Sequence, residues 1–300
     1  MKATKYEGLY AAVATPMTRR GEVDISVVDS YADFLVKRKI KGVFVCGTTG
    51  ESLLLDTEER KMVAEAWMKY ADKLSILVHV GSTSCVVAQR LARHAQEMGA
   101  DAISAMGPMF MPPDGVEELL EFNRLIAESA PDTPYYYYHI PGVSNVNIDM
   151  VEFLKRGKNR ISTLRGVKYT SCNLMEEQEC IRLDNHFFDI LHGHDELLLP
   201  GLAVGARGGI GTSFNVTSSL FNQILEAFDR EDMSEALRLQ SEANSFIKLM
   251  LKYENSVVGI KAILNIMGID CGPCRLPLRN LSLREMKMLE DHLKAFDWIH

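Results

Sequence analysis

The chain alternates short runs of apolar, often β-branched residues with longer stretches in which apolar positions recur at helical spacing. The longer stretches predict helices, among them Ser26–Lys37, Thr57–Tyr70, Thr83–Met98 and Glu117–Ser129. Asp56 suits the start of one of them, because an acidic first turn complements the helix dipole. The short runs predict eight strands, at Leu9–Ala14, Gly42–Cys46, Ser75–Val80, Ala102–Ala105, Tyr135–Tyr138, Leu164–Lys168, Phe188–Leu191 and Gly208–Ile210.

Strands that alternate with helices indicate a parallel sheet of the α/β class. Eight such units favour a closed (β/α)₈ TIM barrel. A doubly wound open sheet is the alternative. It would usually carry a Gly-x-Gly-x-x-Gly turn after its first strand, where this chain has Ala14-Thr15-Pro16-Met17.

The pattern changes after Val216, where helices follow one another without strands. We therefore expect a catalytic barrel over residues 1–230 and a C-terminal helical extension over residues 231–300, packed on the barrel. The predicted helices of this part are Ser218–Phe228, which would close the barrel, and then Ser234–Leu251, Val257–Met267 and Leu283–Phe296.

Composition and charge narrow the class of protein. An apolar fraction of 47% and a charged fraction of 24% are those of an ordinary globular protein. The net charge is −7 and no Lys/Arg run occurs, so we expect no nucleic-acid partner. No run of 18 apolar residues and no apolar signal core are seen, which predicts no membrane span and a cytoplasmic location.

Six cysteines are expected to be free thiols, given the absence of a secretion signal. The spacing of Cys271-Gly272-Pro273-Cys274 matches a thioredoxin-type redox motif. That chemistry needs a βαβ setting, whereas here the motif lies between two predicted helices. A thiol oxidoreductase is therefore a disfavoured alternative.

Unusual residues cluster at the carboxyl ends of the predicted strands, where TIM barrels carry their active sites. After the second strand, the backbone and hydroxyl donors of Gly47–Glu51 could converge on a carboxylate or phosphate. An ordinary turn with threonine as a helix cap explains this segment equally well.

Tyr138 ends the fifth strand and Lys168 ends the sixth. Alternate tyrosines of Tyr135–Tyr138 must face opposite sides of the sheet, so two point into the barrel. Tyr138 could relay a proton there, although simple core packing is the alternative. A lysine at a strand end is partly desolvated, which favours the neutral amine that attacks a ketone.

Further polar residues follow the last two strands. In Gly193-His194-Asp195-Glu196 the adjacent carboxylates suit hydrogen bonds to a polyol, while Asp195 could instead cap the helix beginning at Leu197. A metal is not expected, because no second cluster of histidines and carboxylates supplies the remaining ligands. The glycines of residues 208–213 allow close approach of a ligand.

Taken together, these residues resemble the N-acetylneuraminate lyase and dihydrodipicolinate synthase superfamily over nearly the whole chain. The resemblance implies a (β/α)₈ barrel with a helical extension, a homotetramer, and a Schiff base between lysine and pyruvate without cofactor or metal. The matching motifs are Ala14-Thr15-Pro16, Gly47–Glu51, Tyr138-His139-Ile140-Pro141, Gly166-Val167-Lys168, Gly211-Thr212 and Gly272-Pro273.

The resemblance also implies roles for single residues. Lys168 is similar to the Schiff-base lysine and Tyr138 to the proton-relay tyrosine, while Thr48 and Thr49 resemble the hydroxyl pair that holds the pyruvate carboxylate. The residues that resemble the lining of the sugar-chain side are Thr170, Gly193, Asp195, Glu196, Gly211 and Thr212.

Two features favour the lyase branch, which cleaves N-acetylneuraminate to N-acetylmannosamine and pyruvate. The synthase branch places an arginine shortly after the tyrosine of the fifth strand, and His139–Val143 contains none. The Asp195-Glu196 pair is typical of lyases that handle a polyhydroxylated tail. His194 and Thr212 depart from the common pattern and leave the substrate range open. A related aldolase or synthase for another 2-keto acid, and a non-catalytic pyruvate-binding regulator, are the alternatives.

Overall fold

The computed structural model describes residues 5–299. Eight parallel strands pair in chain order and β1 closes on β8, so the predicted (β/α)₈ barrel is confirmed. The strands are β1 Gly8–Ala12, β2 Gly42–Val45, β3 Ser75–His79, β4 Ala102–Met106, β5 Tyr135–His139, β6 Leu164–Tyr169, β7 Asp189–His192 and β8 Gly208–Gly211.

Helices follow the strands around the barrel and then continue alone at the carboxyl end of the chain. They are α1 Val28–Lys37, α2 Thr57–Met68, α3 Cys85–Glu97, α4 Val116–Ala127, α5 Pro141–Ser144, α6 Met150–Gly157, α7 Leu174–His186, α8 Leu198–Ala203, α9 Phe214–Asp229, α10 Met233–Lys252, α11 Ser256–Ile266 and α12 Leu283–Leu293. None of the helices within residues 5–299 is both long and apolar enough to cross a membrane.

Strand β5 shows how side-chain alternation divides the core into the barrel interior and the space between strands and helices. Tyr136 and Tyr138 belong to the cluster that fills the barrel interior, whereas Tyr135 and Tyr137 pack among the surrounding helices. The prediction that two of the four tyrosines point inward is confirmed. The pairing of Tyr138 with Lys168 places both side chains in the same layer of the interior.

Helix α2 begins as its sequence predicts. The Asp56 side chain accepts a hydrogen bond from the Glu59 backbone N–H at 2.8 Å, and the Glu59 carboxylate accepts one from the Asp56 N–H at 2.9 Å. This reciprocal capping box satisfies two backbone donors that the first turn would leave unpaired. It fixes the exit of the β2 loop, which carries the candidate anion-binding residues.

The C-terminal helices pack beside the barrel, with α10 against α9 and α11 against α10 and α12. The division of the chain into a barrel over residues 1–230 and an extension over residues 231–300 stays a prediction. Residues 1–4 of the first segment and residue 300 of the second lie outside the described residues. All six cysteines are free, as expected.

Candidate active site

Lys168 lies in the barrel interior at the carboxyl end of β6, with 4% of its surface exposed. Its Nζ is 4.1 Å from the ring centroid of Phe44 and 4.1 Å from that of Tyr138. The two rings meet edge to face, with centroids 5.6 Å apart. They exclude bulk water from the amine, and their π faces can stabilise a cationic imine once it has formed at Nζ. The setting suits an amine that becomes a cationic imine.

Hydroxyl groups from three strand ends form two contacts, one of which involves Tyr138, whose ring faces the amine. The Tyr138 hydroxyl is 3.4 Å from Thr48 Oγ1, and Thr49 Oγ1 is 2.7 Å from Thr212 Oγ1. The structure thus brings together five predicted residues from β2, β5, β6 and β8, counting Lys168. Hydroxyls on one side of an amine can bind a carboxylate oxygen and move a proton.

The loop after β2 owes its shape to tight backbone packing. A Cβ at Gly47 would lie 2.7 Å from the Phe44 ring, so a side chain there would displace the ring that covers Lys168. The Thr15 hydroxyl donates to the Gly50 carbonyl at 2.7 Å. Glu51 adopts a left-handed conformation at φ 55°, which is unusual for a residue with a side chain. The motif is a specific turn and not merely a helix cap.

Asp195 lies behind the ends of β7 and β8, and its carboxylate is almost fully buried. One oxygen accepts a hydrogen bond from the Ser213 N–H at 2.6 Å. A Cβ at Gly211 would lie 2.3 Å from the other oxygen, which explains the glycine. Burial raises the pKa of Asp195 above its usual value. Asp195 therefore caps the turn before α9, and its side chain does not cap the segment at Leu197.

Glu196, on the same side, is more open than Asp195. Glu196 keeps 45% of its side chain exposed and lies 3.2 Å from His194 Nδ1. The hydrogen bond from His194 lowers the pKa of Glu196, and the same contact raises the pKa of His194. A Cβ at Gly193 would lie 2.0 Å from Thr170 Oγ1, a buried hydroxyl that has no partner within residues 5–299. Glu196 is thus accessible to a ligand, and Thr170 keeps a hydrogen-bonding group, unused among the described residues, just beneath the surface.

Sequence reasoning missed two residues beside the amine, Phe44 and His79. His79 faces the barrel interior, and its ring centroid is 5.8 Å from that of Tyr138. Its Nδ1 lies 2.9 Å from the Cys46 carbonyl, and burial lowers the pKa of His79 well below its usual value. A lone histidine inside the apolar run of β3 was an available signal, whereas nothing in the sequence distinguishes Phe44 from other core residues.

The Cys271-Cys274 pair has no feature of a redox centre. Both thiols are buried, and this burial raises the pKa of each to about 12. Thiol–disulfide chemistry needs an accessible thiolate. Within residues 5–299, moreover, no three His, Cys, Asp or Glu side chains converge as metal ligands would.

The fold and the site define a TIM barrel with a buried, aromatic-lined lysine at the carboxyl ends of its strands. A sequence profile of the dihydrodipicolinate synthetase family matches residues 5–296, and the chain belongs to this family. It is 41% identical to the N-acetylneuraminate lyase of Pongo abelii over 98% of this chain and 94% of that protein.

Solved structures agree with this assignment. The N-acetylneuraminate lyase (sialic acid aldolase) of Aliivibrio salmonicida superposes with a TM-score of 0.96 at 36% identity, covering 99% of both chains. A catalytic lysine mutant of the Ruminococcus gnavus sialic acid aldolase superposes with a TM-score of 0.92 at 28% identity, covering 96% of this chain and 95% of that one.

Proposed function

We propose that this protein is a class I aldolase that cleaves N-acetylneuraminate to N-acetylmannosamine and pyruvate, with Lys168 as the nucleophile. The observation that carries the proposal is the buried Lys168 amine between the faces of Phe44 and Tyr138, with the Tyr138 hydroxyl in contact with Thr48. Named lyases about 40% identical over nearly the whole chain support the substrate. A catalytic lysine in the relative from Ruminococcus gnavus supports the chemistry.

The reaction follows from this arrangement. The neutral Lys168 amine attacks the C2 ketone of the open-chain sugar, and loss of water gives a protonated imine that draws electrons from C3. Tyr138 relays the proton of the C4 hydroxyl, accepting it while passing its own phenolic proton to the substrate carboxylate, as the C3–C4 bond breaks; N-acetylmannosamine leaves and an enamine remains. Protonation at C3 and hydrolysis then release pyruvate. The faces of Phe44 and Tyr138 stabilise the cationic imine.

The remaining predicted residues divide between the two ends of the substrate. We assign Thr48 and Thr49 to the carboxylate, because their hydroxyls lie next to Tyr138 and Thr212. We assign Thr170, Gly193, Asp195, Glu196, Gly211 and Thr212 to the sugar chain, with Asp195 acting mainly through the Ser213 turn.

The finer features of the protein belong to the same proposal. We assign it no cofactor, because the Lys168 imine supplies the electron sink, and we expect a homotetramer in the cytoplasm. The absence of a cofactor is inferred from the chemistry of the site. The homotetramer is inferred from the family resemblance, and the cytoplasmic location from composition.

The test is release of N-acetylmannosamine from N-acetylneuraminate by the purified protein and by Lys168→Ala. We expect turnover by the wild type and none by the variant. A Cys271→Ala/Cys274→Ala variant should retain turnover, which separates this activity from thiol chemistry. Inactive wild-type protein, or an active Lys168→Ala variant, would refute the assignment.

A further inference from the structure

A buried ion pair joins the β2 loop to the C-terminal helices. Lys261 of α11 donates to a carboxylate oxygen of Glu51 at 2.7 Å, and the pair's side chains are 1% and 0% exposed, respectively. Two buried charges of this kind are costly to desolvate and persist only where their geometry is well satisfied. The roles proposed above do not account for either residue.

Further hydrogen bonds complete the pair on both sides. The second carboxylate oxygen of Glu51 accepts the Arg275 backbone N–H at 2.7 Å. Lys261 Nζ also donates to the Pro273 carbonyl at 2.7 Å. Three groups of the C-terminal segment therefore converge around one loop carboxylate, directly or through the ammonium. The linker of residues 271–275 presents these backbone groups.

The linker itself is anchored from other sides. Asn265 donates to the Gly272 carbonyl at 3.0 Å and accepts the Gly272 N–H at 3.1 Å. The Met17 N–H donates to the Cys271 carbonyl at 3.0 Å. Because these contacts fix the linker to both α11 and the segment after β1, it offers Glu51 a rigid support.

Glu51 lies two residues from Thr49 and closes the same turn. Its N–H donates to the Thr48 carbonyl at 3.0 Å, and the Ser52 N–H donates to the Gly47 carbonyl at 3.3 Å. Its left-handed φ of 55° is a strained state that persists when surrounding contacts determine it. The ion pair supplies such contacts.

We propose that Glu51 and Lys261 are positioning residues, through which the C-terminal extension fixes the two threonine hydroxyls that bind the substrate carboxylate. This rests on the proposed function. Lys261 and Glu51 do not touch the substrate. They hold the turn, and loss of the pair lets the hydroxyls of Thr48 and Thr49 move from their positions beside Tyr138 and Thr212.

The test compares Lys261→Met and Glu51→Gln with a matched control, Glu59→Gln. The control weakens the ion pair between Arg275 and Glu59, whose nitrogens and oxygens lie 2.6 and 2.7 Å apart, and leaves the Glu51 carboxylate untouched. Glutamine at this position also preserves the capping box of α2. All three variants weaken a link between the C-terminal segment and the part of the chain that follows β2.

The readout is borohydride trapping of pyruvate as a function of pyruvate concentration, followed by mass spectrometry. Loosening hydroxyls that bind a charged group should raise the half-saturating pyruvate concentration about ten- to a hundredfold in both pair variants. The extent of trapping at saturation, which counts folded sites, should stay near that of the wild type. Glu59→Gln should lower the melting temperature and leave half-saturation within about threefold.

If folded Lys261→Met or Glu51→Gln is half-saturated at the same pyruvate concentration as the wild type, the proposal is overturned. The ion pair would then only stabilise the fold. If Lys261→Met and Glu51→Gln do not fold, hydrogen exchange of the wild-type protein tests the proposal instead. Pyruvate should then slow amide exchange both in residues 47–52 and in 261–275, and protection confined to the first segment contradicts the proposal. Absence of trapping in the wild type would instead refute the proposed function.

Discussion

At the scale of single residues, the structure contains two buried lysines, and their contacts decide which of them can react. Within residues 5–299 only Lys168 and Lys261 are buried lysines. Lys261 is held by a carboxylate and a carbonyl, whereas Lys168 faces two aromatic rings. A nucleophile needs a free lone pair. The distinction between a structural and a reactive lysine therefore lies in their contacts and not in their burial.

Tyr138 and Tyr136 lie on the same strand, so Tyr136→Phe is a matched control for Tyr138→Phe. Tyr138→Phe should lower kcat for N-acetylneuraminate cleavage by about 10²–10⁴-fold, because it removes a proton-transfer group. Tyr136 lies one layer lower, and its hydroxyl donates to Asp189 at 3.0 Å. Tyr136→Phe should cost about 1–2 kcal/mol of stability and little activity, measured by steady-state kinetics and urea unfolding. Equal losses of kcat in both variants would count against Tyr138 as the relay.

Glu196 separates recognition of the sugar chain from chemistry at the amine. Its carboxylate is half exposed and contacts His194 at 3.2 Å, so its exposed side can accept hydroxyl donors. Glu196→Gln should reduce kcat/KM for N-acetylneuraminate about ten- to a hundredfold, because a bond to a charged acceptor is lost. Borohydride trapping of pyruvate, which lacks the sugar chain, should match that of the wild type. A parallel fall in both would place Glu196 at the imine instead.

At the scale of elements, the strands were predicted well and some helices were not. All eight predicted strands lie within two residues of their observed limits, because short apolar runs between helices have few other solutions. Helices α5 to α7 were not predicted individually, and of α8 only the start near Leu197 was. Segment α7 includes the non-helical residues Leu183 to Asn185, and α8 contains Pro200 and Gly201, so neither presents a regular pattern.

The candidate site, too, was predicted only where its signals are local in the sequence. Strand ends and glycine-flanked motifs pointed to Lys168, Tyr138 and the threonines, since these signals are local in sequence. The contact between Glu51 and Lys261 joins residues 210 positions apart, and no periodicity reports it. Likewise, the bond from Ser213 to Asp195 depends on how β8 turns into α9.

The amino-terminal end of β7 gives a pH-dependent contribution to stability. Asp189 borders a cavity of about 800 Å³ at that end of the barrel, and burial raises its pKa from 3.8 to about 6. The folded protein thus keeps this proton up to about pH 6, whereas the unfolded chain loses it near pH 4. Because the folded state binds more protons in this window, the Asp189 contribution to stability falls as the pH rises through it.

The change to test is Asp189→Asn, which cannot titrate and keeps an acceptor for the Tyr6 N–H and the Tyr136 hydroxyl. The free energy of unfolding of the wild type, relative to this variant, should drop by on the order of 2 kcal/mol between pH 4 and pH 7. Urea unfolding at intervals across that range measures it. A difference that does not vary with pH would show that Asp189 titrates normally.

At the scale of the whole molecule, the barrel brings reactive groups from separate strands to one end and the extension supports them from behind. Residues from β2, β5, β6 and β8 meet around Lys168 because parallel strands present their carboxyl ends together. The proposed activity therefore depends on one chemical event, formation of an imine at the Lys168 amine.

That event can be measured directly by adding pyruvate and then borohydride to the wild-type protein, followed by peptide mass spectrometry. We predict irreversible inactivation and the mass of one reduced pyruvyl group per chain, located on the peptide that contains Lys168. Lys168→Ala should take up none. An adduct on another lysine, Lys261 included, or a wild-type protein that remains active and unmodified, would contradict the account.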